Sequence, residues 1–314
     1  DAYTKLVYIA VAYGLVHLLA WALNPGIFKD TAIQGVVYNN RLLFFAILGM
    51  GAVLIHKKLF SEERLIRTII LISTIVCVLG VLQYLLPKDL LTHVGYSVAR
   101  GVKPAFFIDD KTDFPRIMST LRDPNSLGAF LIVPLCVLYG LFMKYKAEAA
   151  KRNKIIGLTL LHVLALVLTF SRGAWGGSVV ALVACIVSVG RERFRLTRKG
   201  LIATGIIIVA LGVAAFALRD QRTVQNIIQH SDETTVAQKD SNALHIDFAA
   251  DALKATAQRP QGHGPGTAGI VSIRNPKGGQ LTENYYVQIL YEVGVIGFAV
   301  FLCAIVYVTR KVRE

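Results

Sequence analysis

Residues Leu65–Leu86 read LIRTIILISTIVCVLGVLQYLL, an apolar run interrupted by a single arginine near its start. About 20 mostly apolar residues suffice to cross the hydrocarbon core of a bilayer as a helix. Seven further runs of this kind lie on either side: Tyr3–Leu23, Tyr38–Ile55, Leu127–Met143, Ile155–Phe170, Ala174–Val189, Leu201–Leu218 and Tyr285–Val308. In lipid every backbone amide must be paired within its own segment, which a helix does. The composition agrees, since 54% of residues are hydrophobic and 17% charged, whereas soluble domains carry about 25% charged residues. The expectation is an all-α, polytopic membrane bundle of eight transmembrane helices, forming one integral membrane domain over residues 1–314.

The net charge of +14 suggests nucleic acid until it is mapped onto this path. The basic clusters are Lys57, Lys58, Arg64 and Arg67, then Lys144 to Lys154, Arg191 to Lys199, and Arg310 to Arg313. All fall on one side of an eight-helix chain, which with the N-terminal Asp1 and Lys5 holds 18 Lys/Arg against six acids. The opposite loops hold 15 Lys/Arg and 13 acids. An excess of Lys and Arg marks cytoplasmic loops. The basic runs are therefore expected inside, the loops 87–125 and 219–282 outside, and no nucleic-acid partner is implied.

The four cysteines, Cys77, Cys136, Cys185 and Cys303, all lie within apolar runs without a CxxC spacing, so neither a disulfide framework nor a thiolate metal site is indicated. The first residue is not Met, and the first apolar run lacks the basic flank and cleavage pattern of a signal peptide. Upstream helices missing from this chain, or a processed form, are both compatible with that start.

Chemistry concentrates in the outer loops. In the loop 87–125, an acidic stretch DDKTD at Asp109–Asp113 offers oxygen ligands but lacks the glycine-spaced loop of a calcium site; no metal and no cofactor are expected. The segment LRDPNS, Leu121–Ser126, reads as a turn followed by a Ser or Asn helix cap. In the loop 219–282, Leu244, Phe248, Ala252 and Ala255 recur at helical spacing, with Ser241 or Asn242 as cap and Pro260 as stop. This predicts an amphipathic helix at the outer surface, followed by a tight turn at Gly262–Gly266.

Between the fifth and sixth apolar runs stands TFSRGAW, Thr169–Trp175. Arg172 is thereby held at the membrane face by two helix ends, where a guanidinium must snorkel or find an anion. Its planar, bidentate donors suit a diphosphate. An interfacial anchor, with Trp175 in the aromatic belt, is the plainer reading. Before the last run, Thr282-Glu283-Asn284 fits either a helix cap or a carboxylate at the membrane mouth acting as general base. Glu292 lies deeper in the same run and needs a partner, for which Arg172 or Arg41 are available. Arg219, Arg222, His245, Asp247, Arg259, His263 and Arg274 are spread over the long loop.

In order along the chain, LRDPNSLGAF, SRGAW, a long outer loop ending in GHGPGT, and TENYYVQILYEVGVIG resemble the O-antigen ligase/polymerase superfamily over roughly residues 115–310. The resemblance implies a GT-C-like membrane fold, commonly with ten or more helices. It also implies transfer of a glycan from an undecaprenyl-diphosphate carrier to a glycan, lipid or protein acceptor hydroxyl outside the bacterial cytoplasmic membrane. Arg172 then stands at the family's phosphate-binding arginine. Glu283 stands where ligases carry a histidine and polymerase-like members often carry a glutamate, and His245 replaces an arginine usual in the outer helix. The resulting expectation is a metal-independent, inverting displacement. Glu283 or His245 is the base, Arg172 binds the departing diphosphate, and Arg116, Arg122, Arg222, His245, Asn284 and Tyr285 contact substrate. The rival reading, a transporter or flippase of an anionic or lipid-linked substrate, calls for repeated broken helices at the midplane, and no such symmetry is visible in the sequence.

Overall fold

Nine α-helices carry the described chain. They are α1 (Ala2–Ala22), α2 (Lys29–Ile55), α3 (Glu62–Leu85), α4 (Pro124–Tyr145), α5 (Ala149–Leu168), α6 (Arg172–Arg193), α7 (Ser241–Gln258), α8 (Gly269–Ser272) and α9 (Tyr285–Arg313). The structure is a computed structural model, and it describes residues 2–55, 61–100, 103–108, 115–193, 241–272, 275, 278–282 and 284–313. Among these, the segments long and apolar enough to cross a membrane are Tyr3–Ala22, Glu62–Leu85, Pro124–Tyr145 and Tyr285–Arg310, with Arg172–Ile186 a shorter apolar helix. Four of the eight expected spans thus meet the criterion, and the chain is a helical membrane protein. Tyr38–Ile55 lies in α2, which carries Asn39, Asn40 and Arg41, and all but the last two residues of Ile155–Phe170 lie in α5, which carries His162. Leu201–Leu218 lies outside the described residues. Large apolar side chains such as Val180, 69% exposed, and Leu71, 62% exposed, point away from the protein, as lipid-facing residues do.

The chain divides into two compact units, Asp1–Phe60 with Lys239–Glu314, and Ser61–Gln238. In the first, α1 packs against α2 and α9, while α7 packs on α9 and α8 on α2. Tyr13, Ala20, Ile289 and Val293 form the core, joined by Phe298 and Phe301. The α1–α9 crossing is close: a Cβ on Gly297 would come within 2.6 Å of Val16. The last apolar run is not the continuous helix expected from sequence. Gly294 has φ 70°, ψ −173° and breaks α9.

In the second unit α4 packs against α3, α5 and α6, around Cys77, Ile117, Leu127, Leu131, Leu135, Ala165, Leu166 and Ala174. Gly128 lets α4 and α6 touch, because a Cβ there would lie 2.5 Å from that of Ala174. His162 on α5 and Ser73 on α3 share a buried hydrogen bond of 2.8 Å. Before α4, two short strands, β1 (Phe106–Phe107) and β2 (Pro115–Arg116), pair antiparallel with Phe106 opposite Arg116.

Helix α4 starts earlier than the sequence suggests, with its cap at Asp123 and not at Asn125 or Ser126. The Asp123 Oδ1 accepts the Ser126 N–H at 2.8 Å while Oδ2 accepts the Ser126 hydroxyl. Pro124 explains the shift: with no N–H and a fixed φ it belongs at the first helical position, so the residue before it becomes the cap. The amphipathic outer helix is present as α7 and ends ahead of Pro260. Its Ala252 and Thr256 are buried, and Ile246 and Leu253 are exposed.

Candidate functional site

Three residues, Thr169 to Ser171, connect α5 to α6. The reversal depends on Phe170, which adopts a left-handed φ of 48°. That conformation commonly closes a helix but usually falls to glycine or asparagine. Here local bonds hold it. The Phe170 N–H reaches Val167 O at 2.9 Å, the Thr169 hydroxyl donates to Leu166 O at 2.6 Å, and the Trp175 indole N–H donates to the same carbonyl at 2.9 Å. Trp175 therefore closes the end of α5, a role beyond that of a membrane anchor.

Arg172 is the first residue of α6. The N-terminal end of a helix carries partial positive charge and disfavours a cation unless an anion is at hand. A second guanidinium acts on the same place. Arg116 donates through Nε to Thr169 O at 2.9 Å and through Nη2 to Asn125 Oδ1 at 3.0 Å. Burial holds the Arg116 pKa below the usual arginine value. The Asp123 carboxylate opposes that shift, and the Arg172 charge adds to it. Arg122, exposed, immediately precedes Asp123. The turn thus brings Arg116 and Arg172 within electrostatic reach of one another beside the Asp123 carboxylate, both oxygens of which accept from Ser126. The β strand, the start of α4 and the α5–α6 turn meet here through the Ile117 N–H to Leu168 O bond of 3.0 Å.

The first unit has its own polar centre, at the break in α9. In an unbroken helix the Val295 N–H would go to Tyr291 O. It goes instead to Pro260 O at 2.9 Å. The released carbonyls are taken by the glycine turn: His263 N–H to Tyr291 O at 2.9 Å, and Gly264 N–H to Glu292 O at 2.8 Å. The fully buried Glu292 carboxylate accepts the Ala268 N–H at 3.0 Å and an amide N–H of Asn39. Its partners here are neutral amides, not Arg172 or Arg41 as expected. Arg41 lies over the Tyr38 ring, 3.5 Å from its centroid, and donates to Tyr38 O. The His263 ring stacks on that of Tyr291 at 4.0 Å and 6°, and burial lowers the His263 pKa. Beside this stack lies a cavity of about 470 Å³ lined by Asn24, Ile27, Arg259, His263, Thr267, Asn275, Gln280 and Tyr291, with backbone from Gly278 and Gly279.

Of the residues expected to bind substrate, Arg116 and Arg172 are brought within electrostatic reach of one another. Asn284 caps α9, its Oδ1 accepting from Tyr286 N at 3.0 Å and Val287 N at 3.2 Å. The Tyr285 hydroxyl turns inward to Asn39 O at 3.3 Å. His245 lies on α7, but its side chain is outside what is described. Glu283, Arg222 and the DDKTD stretch lie outside the described residues. Sequence reasoning missed the break at Gly294, the Glu292–Asn39 pairing and the cavity. A buried acid followed two residues later by glycine in an apolar run was the available signal.

A family model described as O-antigen ligase matches residues 157–302. No curated protein and no solved structure matches the chain.

Proposed function

From the match of residues 157–302 to a family model described as O-antigen ligase, we propose that this chain transfers a glycan from an undecaprenyl-diphosphate carrier to an acceptor hydroxyl at the outer face of the bacterial cytoplasmic membrane. The observation that carries the reading is the arginine cluster at the α5–α6 turn. Arg172 stands at a helix N-terminus within electrostatic reach of the half-buried Arg116, whose charge the Asp123 carboxylate also meets. Two guanidiniums near one helix N-terminus suit an anionic ligand, and a diphosphate offers the oxygens that guanidinium forks match.

In this mechanism the acceptor oxygen attacks the anomeric carbon, and the bond from that carbon to the diphosphate oxygen breaks. Glu283 removes the acceptor proton. Negative charge grows on the departing diphosphate, where Arg172 and Arg116, with Arg122, Arg222 and His245 as further donors, lower the barrier. Attack opposite the leaving group inverts the anomeric centre. No step requires a metal. A GT-C-like arrangement, eight or more spans and the outward orientation of this turn belong to the same reading, the last from the distribution of Lys and Arg.

The test uses the purified full chain with a labelled undecaprenyl-diphosphate oligosaccharide, following both glycan chain growth and transfer to lipid or protein. Glu283→Gln is expected to abolish transfer, and Arg172→Ala to slow it about a hundredfold, equivalent to roughly 3 kcal/mol. Full transfer by Glu283→Gln would remove the base, and unchanged turnover in Arg172→Ala would remove the phosphate role. Movement of intact lipid-linked donor across vesicles without transfer would favour a flippase.

A further inference from the structure

The cavity beside the His263–Tyr291 stack takes no part in the steps above, and its chemistry differs from that of the arginine turn. Its volume of about 470 Å³ falls within the roughly 300–1,000 Å³ usual for small-molecule sites. Its described lining contains three carboxamides, Asn24, Asn275 and Gln280, the Thr267 hydroxyl, and one guanidinium, Arg259, with no acid among them. Carboxamides donate and accept, and so does a sugar hydroxyl. A phosphate only accepts, and its sites are built from charged donors and backbone N–H groups. His263 does not supply a second cation near neutral pH, since burial and the Arg259 charge both favour its neutral form. What the imidazole and phenol supply is a flat, stacked surface, against which the C–H face of a pyranose can lie.

The cavity walls are also held in place. The glycine turn is fixed to the opened carbonyls of Tyr291 and Glu292. Across the cavity the chain returns through Gln280 N–H to Thr267 O at 3.0 Å and Gly269 N–H to Gln280 O at 3.0 Å. Asn24 donates to Gly262 O at 3.2 Å, tying the α1–α2 connection to the same loop. Such a pre-formed set of polar groups binds without first ordering loops.

We propose that this cavity is a saccharide subsite, holding one or more neutral sugar rings through Asn275, Gln280 and Arg259 with a ring face on the His263–Tyr291 stack. The assignment rests on the glycan-transfer reading for its choice of ligand. The rings can belong to the carrier-linked donor or to the acceptor.

The probes are two: lipid-free oligosaccharides released by mild acid from the surface polysaccharide of the organism that makes this chain, and sugar-free undecaprenyl diphosphate. Both are titrated against the full chain in lipid nanodiscs. Wild type is expected to bind the oligosaccharide. Arg259→Ala and Asn275→Ala, on an exposed helix end and in a loop, are expected to weaken it roughly tenfold or more while leaving undecaprenyl diphosphate affinity as it was. Arg259→Lys should recover only part of the loss, because the planar fork is not reproduced. No oligosaccharide binding by wild type, or equal binding by both alanine variants, overturns the subsite. Oligosaccharide binding that follows these variants, together with no affinity for undecaprenyl diphosphate, supports the subsite and overturns the transfer reading. Displacement of the free oligosaccharide by its lipid-linked form assigns the rings to the donor, and failure to displace assigns them to the acceptor.

Discussion

The Glu292 carboxylate and the Ala268 backbone N–H, 24 residues apart, meet at 3.0 Å in the interior of the first unit. Through this bond the loop after α7 is fastened to the centre of the last helix. Glu292 also holds an amide N–H of Asn39 from α2, so one side chain ties three segments. Glu292→Ala leaves these buried donors without an acceptor, which costs about 1–3 kcal/mol each. The expected outcome is a clear fall in thermal unfolding midpoint in detergent, with Glu292→Gln milder because one oxygen still accepts. Equal midpoints for wild type and Glu292→Ala would contradict this role.

Gly294 makes the attachment possible. Its φ is 70°, and an added Cβ would lie 2.3 Å from Pro260 O and 2.5 Å from the Gln261 carbonyl carbon, both backbone atoms that cannot swing aside. Gly294→Ala should therefore cost more than left-handed strain alone, which is of order 1–3 kcal/mol. It should also loosen the loop 259–268, seen as faster amide exchange there and at Val295. A variant with wild-type protection would show that the helix tolerates an unbroken path.

The pH dependence of this loop follows from His263. Burial lowers its folded pKa, with Arg259 adding to the shift and the Tyr291 backbone opposing it. Unfolded, the ring takes a proton near pH 6.5. Below that value the unfolded state binds the proton more readily than the folded one, so stability is intact above about pH 6.5 and declines as pH falls toward the lower folded pKa. The unfolding midpoint of wild type should drop between pH 7.5 and 5.5 by more than that of His263→Asn. Parallel pH profiles for the two would exclude His263 as the source.

Arg116 combines two jobs that substitution can separate. Its side chain ties β2 to Thr169 O and Asn125, and its charge adds to that of Arg172. Arg116→Lys keeps the charge and loses the fork. Transfer is expected to fall severalfold with a small loss of stability, whereas Arg116→Ala should lose turnover by one to two orders of magnitude, roughly 1.4–2.7 kcal/mol. Initial rates with the lipid-linked donor, measured alongside unfolding midpoints, distinguish the two effects. Identical rates for Lys and wild type would show that charge alone suffices.

Much of this architecture is legible in the residues themselves. Apolar runs such as Leu65–Leu86 are long enough to demand helices wherever water is absent, and Pro260 and Asp123-Pro124 stop and start helices by local backbone chemistry. SRGAW places Arg172 between two helix ends by spacing alone. The motifs also carry the resemblance to the O-antigen ligase family model, which matches residues 157–302. These features depend on neighbours in sequence, so the sequence by itself determines them.

Tertiary structure decided what depends on distant partners. Glu292 looks like a buried acid in need of a cation, but loop amides and Asn39 supply enough donors to hold it, and no local pattern announces them. The break at Gly294 is invisible in hydropathy, because the carbonyls it frees are satisfied by a glycine turn some 30 residues upstream. Arg116 and Arg172 are separated by two helices in sequence and come into reach only because α4 and α5 form a hairpin that returns the chain to the β2 strand. The saccharide cavity likewise draws its walls from the α1–α2 connection, the loop after α7 and α9. In each case the deciding interaction is a hydrogen bond or charge pair between segments that only folding makes neighbours.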